Sequence, residues 1–223
     1  MSANSDAVAA AYDEVAELYT NLFRDAMVNA PVDRAMLGLF AELVQAEDRG
    51  PVADLGCGPG RITGYLDALG LNTFGLDASA EMIRMAREAH PHLRFEHGSM
   101  EQLDVADGEL GAIVAWYSII HMRPEHLPEL FAEFARALAA DGYLMLAFQA
   151  ADDGADRQPY DHKVAPVVRW SPERLAEMLR PHGFVPVTRM VRPPEPDERC
   201  PHGYLLMRKS ATPGGSDAGR ANS

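Results

Sequence analysis

The chemistry legible in this chain begins at Val52-Ala53-Asp54-Leu55-Gly56-Cys57-Gly58-Pro59-Gly60, where an apolar run leads into glycines at alternate positions. A helical pattern follows from Arg61 to Leu69, and a second short apolar run, Thr73 to Leu76, ends on Asp77. Glycines at a strand-to-helix turn let the backbone approach a ligand closely. An acidic residue closing the next strand accepts hydrogen bonds from both hydroxyls of a ribose. Together they point to a nucleoside site. The dinucleotide pattern Gly-x-Gly-x-x-Gly would need a glycine at position 61, where Arg61 stands. Asp54, just ahead of the glycines, also opposes a pyrophosphate, which prefers amide donors and no nearby anion. A nucleoside carrying positive charge suits the site better.

The stretch Asp54-x-Gly56-x-Gly58-x-Gly60, followed by Asp77, resembles the first motifs of class I S-adenosylmethionine (SAM)-dependent methyltransferases. Within that family the resemblance is to the small-molecule, ubiquinone/menaquinone-methyltransferase-like group. It implies SAM as cofactor, S-adenosylhomocysteine as product and no metal. The implied reaction moves a methyl group to an O, N or C atom of a small organic acceptor by direct displacement. Gly56, Cys57 (through its backbone), Gly58 and Gly60 would lie under the methionine part, with Asp54 organising that end and Asp77 gripping the ribose. Ala78 and Met82 would flank the adenine, Met82 being equally suited to a helix core. Ser99 and Met100 follow the third strand; the family often has an acidic residue at position 99, and serine accepts the adenine hydrogen bond without charge.

Strand four ends at Trp116-Tyr117, which the resemblance places against the methionine moiety, and His121 follows. An imidazole there is a candidate general base. The alternative is a histidine that only shapes the pocket, since methyl transfer from a sulfonium often needs only alignment and desolvation. Tyr12 and Tyr19 lie on an N-terminal helix that, by resemblance, folds over the cofactor as a lid. Tyr160, His162 and Trp170 fall in the region that builds the acceptor pocket in many relatives, and their aromatic character suits a flat or cyclic molecule. Two other activities stay open: a SAM-binding protein without methyl transfer, and an NAD-type oxidoreductase, which Arg61 disfavours.

Other groups carry less. His90, His92 and His97 straddle Pro91 and a change from helix to strand, which scatters their directions and argues against a metal site. The two cysteines, Cys57 and Cys200, form no disulfide framework and no ligand spacing. A formal charge of −13, with Lys163 and Lys209 the only lysines, disfavours a nucleic-acid partner. No apolar run approaches the roughly 18 residues of a membrane span. The first residues lack the pattern of a signal peptide, so the expected location is the cytoplasm, as a monomer or homodimer.

These residues need a scaffold to bring them together. From Val52 onward, apolar runs near 52–56, 73–77, 93–97, 111–117, 142–149, 184–192 and 202–208 alternate with helical segments near 60–69, 79–90, 125–139 and 172–182. Crossover helices imply parallel strands covered on both faces. The last two runs have no helix between them, so they predict an antiparallel hairpin. The expected fold is a Rossmann-like, doubly wound α/β sheet of seven strands, mostly parallel, with an N-terminal helical lid over residues 1–48. The methyltransferase-like domain spans 49–209, with an insertion near 152–169, and the Gly/Ser/Ala-rich stretch 210–223 reads as a disordered tail.

Overall fold

The computed structural model describes residues 3–23, 27–47, 49–162, 164–196 and 198–211. The expected tail lies, from residue 212 on, outside the described residues. Helices α1 (Ala3–Phe23) and α2 (Pro31–Glu47) precede strand β1 (Val52–Leu55). Next come α3 (Arg61–Ala68), β2 (Thr73–Asp77), α4 (Ala80–Ala89), β3 (Arg94–His97) and β4 (Leu110–Trp116). After a 3₁₀ turn at Ile119–His121, α5 (Leu127–Ala137) runs directly into β5 (Leu138–Gln149). Strands β6 (Arg157–Tyr160) and β7 (Val167–Trp170) then precede α6 (Pro172–Leu179), β8 (Phe184–Arg192) and β9 (His202–Lys209).

Seven of these strands form one sheet in the order β3-β2-β1-β4-β5-β9-β8. The first five are parallel, and β9 pairs antiparallel with both β5 and β8. The sheet is therefore the expected one. The strand order reverses between β1 and β4, which opens a crevice at their carboxyl ends. Strand alternation sorts the core. Ala112, Val114 and Trp116 join Met36, Leu37, Phe40, Ile62 and Leu66 on the face covered by α2 and α3. Ile113 and Ala115 join Phe131, Phe134, Leu175 and Leu179 on the face covered by α5 and α6. Period-two side-chain direction in a strand buried on both faces produces this division.

The structure departs from the sequence reading in two places. Strand β5 starts at Leu138 instead of near 142, pairing Leu110 with Leu138 before a register shift, and Asp141 takes φ 63° within it. Ala139-Ala140-Asp141-Gly142 reads as a turn, yet it continues the strand through an irregularity. The insertion holds a two-stranded antiparallel ribbon, Arg157 opposite Trp170 and Tyr160 opposite Val167. Its alternating exposed and half-buried residues and the Pro159 at its centre hide it from a hydrophobicity pattern.

Candidate active site

The β1–α3 loop builds the floor of the crevice. Gly56 has φ 73°, and a Cβ there would fall 2.3 Å from Ser118 Cβ, so only glycine lets this turn pass beneath the β4 loop. Gly58 has φ 55° and a Cβ would meet nothing within 4 Å, so its bare Cα faces open space. Gly60 serves packing instead: a Cβ there would fall 2.7 Å from the Phe95 ring, which occupies the space its absence leaves. The Cys57 thiol is likewise turned away from the crevice, buried beside Phe95 and Ile83, where burial pushes it above its ordinary pKa.

Asp77 closes β2 at the edge of this floor. Its Oδ2 accepts the Gly58 N–H at 2.7 Å and its Oδ1 accepts the Ser79 N–H at 2.8 Å. The carboxylate thus ties the loop to the start of α4. Each oxygen keeps a lone pair for an incoming hydroxyl. Burial raises the Asp77 pKa, and these backbone donors hold it back. Asp54 lies below the loop, 1% exposed. Its Oδ2 accepts from Thr63 Oγ1 at 2.7 Å, while its Oδ1 has no partner. Burial lifts the Asp54 carboxyl to about 7, against the Thr63 hydrogen bond. An orphaned, buried acidic oxygen under a ligand cradle is a standing cost that a cation or donor above it relieves.

A cavity of about 120 Å³ rises from this floor. It is lined by Gly56, Gly58, Asp77, Ala78, Met82, Ser99 and Met100, by Trp116 at the end of β4, and by Tyr117 and His121 just after it. Tyr12 and Tyr19 of α1 close it from above. Of the residues singled out in the sequence for the cofactor, Asp54, Cys57 and Gly60 support this cavity without lining it. Two bonds to one carboxylate hold α1 in place: Asp13 Oδ1 accepts from Ser79 Oγ at 2.5 Å and from the Glu81 N–H at 3.1 Å. Asn4 Nδ2 also donates to the His121 carbonyl at 3.0 Å. Asn4, Asp13 and Ser118 carried no motif, and only the tertiary contact reveals them.

His121 is tied to the same helix. Its Nε2 lies 2.9 Å from Tyr12 Oη, with the rings edge-on at 5.4 Å, and the His162 ring stands 5.7 Å away. Its Nδ1 is buried and makes no hydrogen bond of ordinary geometry; the Pro166 carbonyl beside it favours the charged ring only weakly. Burial, reinforced by His162, lowers the His121 pKa to about 4. An imidazole so poised is a poor proton acceptor at neutral pH, so the geometry favours the pocket-shaping reading over the general base.

A second cavity of about 320 Å³ adjoins the first across Tyr19. Val15, Leu18, Leu22 and Phe23 of α1 and Val164 form its apolar wall, and Tyr160, His162, Gln149, Glu198, Arg199 and His202 its polar side. Tyr160 and His162 therefore stand where an acceptor pocket was expected. Trp170 does not. It is 1% exposed on β7, inside the core shared with Phe148 and Phe184. An amphipathic ring in an insertion reads as a pocket wall, but here the ribbon folds inward and uses it to seal the sheet. Among the histidines of the α4–β3 region, His92 faces Asp67 at 3.2 Å and His97 bonds the Ala78 carbonyl at 3.0 Å. No three potential metal-ligand side chains converge among the described residues, and no helix there is long and apolar enough to cross a membrane.

Comparison with known proteins agrees with this geometry. Residues 52–142 match the methyltransferase-domain family. The malonyl-acyl-carrier-protein O-methyltransferase of Pectobacterium atrosepticum is 29% identical over 152 residues, 68% of this chain and 56% of that protein. The trans-aconitate 2-methyltransferase of Sinorhizobium medicae is 35% identical over 121 residues, 52% of this chain and 43% of that protein. The chain thus spans about half the length of the curated relatives it matches. Among solved structures, the 1,6-didemethyltoxoflavin-N1-methyltransferase of Burkholderia thailandensis, with 1,6-didemethyltoxoflavin and S-adenosylhomocysteine bound, superposes with a TM-score of 0.64. It is 21% identical, and the match covers 87% of this chain and 90% of that one. The fold is that of the class I SAM-dependent methyltransferases, and residues 52–142 match the methyltransferase-domain family.

Proposed function

We propose that this protein binds SAM in the first cavity and transfers its methyl group to an O, N or C atom of a small organic acceptor held in the second. The observation that carries the reading is the pairing of the open Gly58 cradle with two carboxylates, Asp54 buried and Asp77 half-buried. Asp77 is placed for ribose hydroxyls, and Asp54, beneath the loop and out of contact with the cavity, places negative charge that a cationic ligand above would offset electrostatically. A pyrophosphate between the same two carboxylates would be repelled. When bound, SAM supplies an electrophilic methyl: the acceptor's lone pair bonds to it as the carbon–sulfur bond breaks, and the electron pair stays on sulfur.

The chain's own residues then orient and exclude water. Gly56, Gly58 and Asp77 fix the nucleoside end, and Tyr12, Tyr19 and Trp116 enclose the reacting end. At about 120 Å³ the first cavity is smaller than the ~300–1,000 Å³ of ordinary ligand pockets. Helix α1 therefore acts as a lid that lifts for entry and closes afterwards. The wall built by Val15, Leu18, Leu22 and Phe23 supports an acceptor with a flat, largely apolar body. The ubiquinone/menaquinone-like acceptors suggested by the sequence are one such class.

Calorimetric titration with SAM, S-adenosylhomocysteine and NAD tests the cofactor, and transfer of tritium from methyl-labelled SAM into a low-molecular-weight cell extract tests the reaction. Binding of SAM with label transfer is expected. Preference for NAD, or SAM binding with no acceptor labelled, would defeat the reading.

A further inference from the structure

Tyr117, just past the end of β4, takes φ 56°, the left-handed region that aromatic residues seldom occupy. Its phenol reaches β9, where Tyr117 Oη lies 2.5 Å from His202 Nδ1 with the rings edge-on at 5.4 Å. The other ring nitrogen of His202, Nε2, faces Glu198 Oε1 at 3.3 Å. Glu198 is held by both terminal guanidinium nitrogens of Arg192, which keep it ionised, with a pKa of about 2. The negative charge beside Nε2 favours a proton there, and we assign His202 that tautomer, which leaves Nδ1 as an acceptor. Tyr117 must then donate. The relay so assigned runs from Tyr117 Oη–H to His202 Nδ1, with ionised Glu198 beside Nε2 as an electrostatic partner and not as a hydrogen-bond acceptor.

This row of groups joins the two cavities. Tyr117 lines the first, and His202 and Glu198 line the second. We propose that Tyr117 is a catalytic residue that takes the acceptor's proton through a relay to His202, positioned by Glu198. The acceptor is accordingly one that arrives as X–H, a hydroxyl or a ring N–H, and not one already ionised. The inference rests on the methyltransferase reading above. As the acceptor's lone pair engages the methyl carbon, the X–H proton passes to Tyr117 Oη while the phenol's own proton passes to His202 Nδ1. The imidazolium so formed lies against ionised Glu198; once the product leaves, its Nδ1 proton returns to Tyr117 Oη as the phenol's other proton passes to water in the first cavity, so His202 keeps its Nε2 proton throughout. Tyr117 is regenerated, and one proton leaves per methyl transferred.

The surroundings fit these roles. Burial holds the Tyr117 phenol far above its ordinary range, so it does not rest as a phenolate and moves both protons together. Burial lowers the His202 pKa, aided by Arg192, but unlike His121 the ring has Glu198 and Asp33 opposing that shift, and these favour the imidazolium the relay forms. Tyr204 completes the set by donating to Asp33 and receiving from Arg192. His121 has no carboxylate behind it, and its Nε2 is tied to Tyr12.

Two measurements on the full chain test this. In the ligand-free protein, nitrogen NMR of labelled histidine, with the His202 signal assigned by its loss in His202→Gln, should show a neutral ring protonated on Nε2 at pH 7. Tyr117→Phe should shift the Nδ1 resonance. A charged ring, or one protonated on Nδ1, overturns the relay. In the second measurement, the probes are tritiated SAM and the extract acceptor. Tyr117→Phe and His202→Ala should each lower turnover at least about tenfold, with less than about a threefold change in the acceptor dilution giving half-maximal rate. Added imidazole should restore His202→Ala, because the base is missing and the scaffold is not. Calorimetry with S-adenosylhomocysteine confirms that both variants are folded, and His202→Gln replaces Ala if Ala is not. Wild-type rates in Tyr117→Phe, or a loss in His202→Ala that imidazole does not repair, overturn the proposal. Wild-type protein that transfers no label instead defeats the methyltransferase reading, and the NMR result, which needs no turnover, keeps the two failures apart.

Discussion

Asp54→Asn should make the ligand-free protein more stable at pH 8 while weakening its hold on SAM. The carboxyl is fully enclosed, and burial lifts it from its ordinary 3.8 to about 7. A folded-state pKa above the unfolded one means the native state prefers the protonated acid. The penalty for holding the ionised group is therefore absent below the unfolded pKa of about 4 and grows until pH passes about 7. At about 1.4 kcal/mol per pKa unit the ceiling of this penalty is roughly 4 kcal/mol at pH 8. Asparagine keeps the shape and an oxygen for Thr63 Oγ1 but leaves a neutral N–H unpaired where Oδ1 was, at a cost of ~1–3 kcal/mol. The net gain at pH 8 should be about 1–3 kcal/mol, shrinking and then reversing in sign toward pH 4. Urea unfolding of both proteins at pH 4, 6 and 8, read as the shift in midpoint at constant slope, is the assay. An Asn variant equally or less stable at pH 8, or a difference that does not change with pH, would refute the reasoning.

Three further outcomes follow from the site. Asp77→Ala should weaken SAM binding by about 2–4 kcal/mol in calorimetry, since it removes both the ribose acceptors and the tie to Gly58 and Ser79; unchanged affinity would remove Asp77 from the site. Deleting residues 1–20 should leave the sheet folded by circular dichroism yet lower SAM affinity and turnover, because Tyr12 and Tyr19 no longer close the cavity; full affinity would make α1 ordinary scaffold. His121→Gln should retain turnover within about tenfold, and wild-type rates should show no inflection from His121 between pH 6 and 7, because its pKa lies near 4; a loss of ~100-fold in the Gln variant would restore it as the base.

The cofactor end was legible in the sequence because it is local. Asp54, the glycines and Asp77 belong to one strand–helix–strand unit, where spacing alone dictates proximity. The alternation of runs also predicted the strand set, since buried parallel strands are continuous apolar stretches. What stayed hidden depends on distant segments or on weak patterns. Tyr117 and His202 are 85 residues apart, and nothing in either neighbourhood announces the other. The ribbon of β6 and β7 carries charged and proline residues where a strand would show apolar alternation, so Trp170 was assigned to the pocket when it belongs to the core. His121 lines the first cavity. Its burial against Tyr12, which decides its basicity, comes from a helix more than a hundred residues earlier.

Ser79 has a consequence for how fast a ligand comes and goes. Its N–H supports Asp77, while its hydroxyl both bonds Asp13 on α1 and receives the Met82 N–H that starts α4. One residue thus serves as hinge pin for the covering helix and as anchor for the carboxylate beneath it. Lifting α1 strips an acceptor from the first turn of α4, beside the place where a nucleoside must be gripped. If α1 opens as proposed, opening and gripping would draw on the same few atoms. On the proposed reading, release of a nucleoside from beneath α1 would require the Asp13 bonds to Ser79 and Glu81, the Asn4 bond to His121 and the Tyr12–His121 bond to break together.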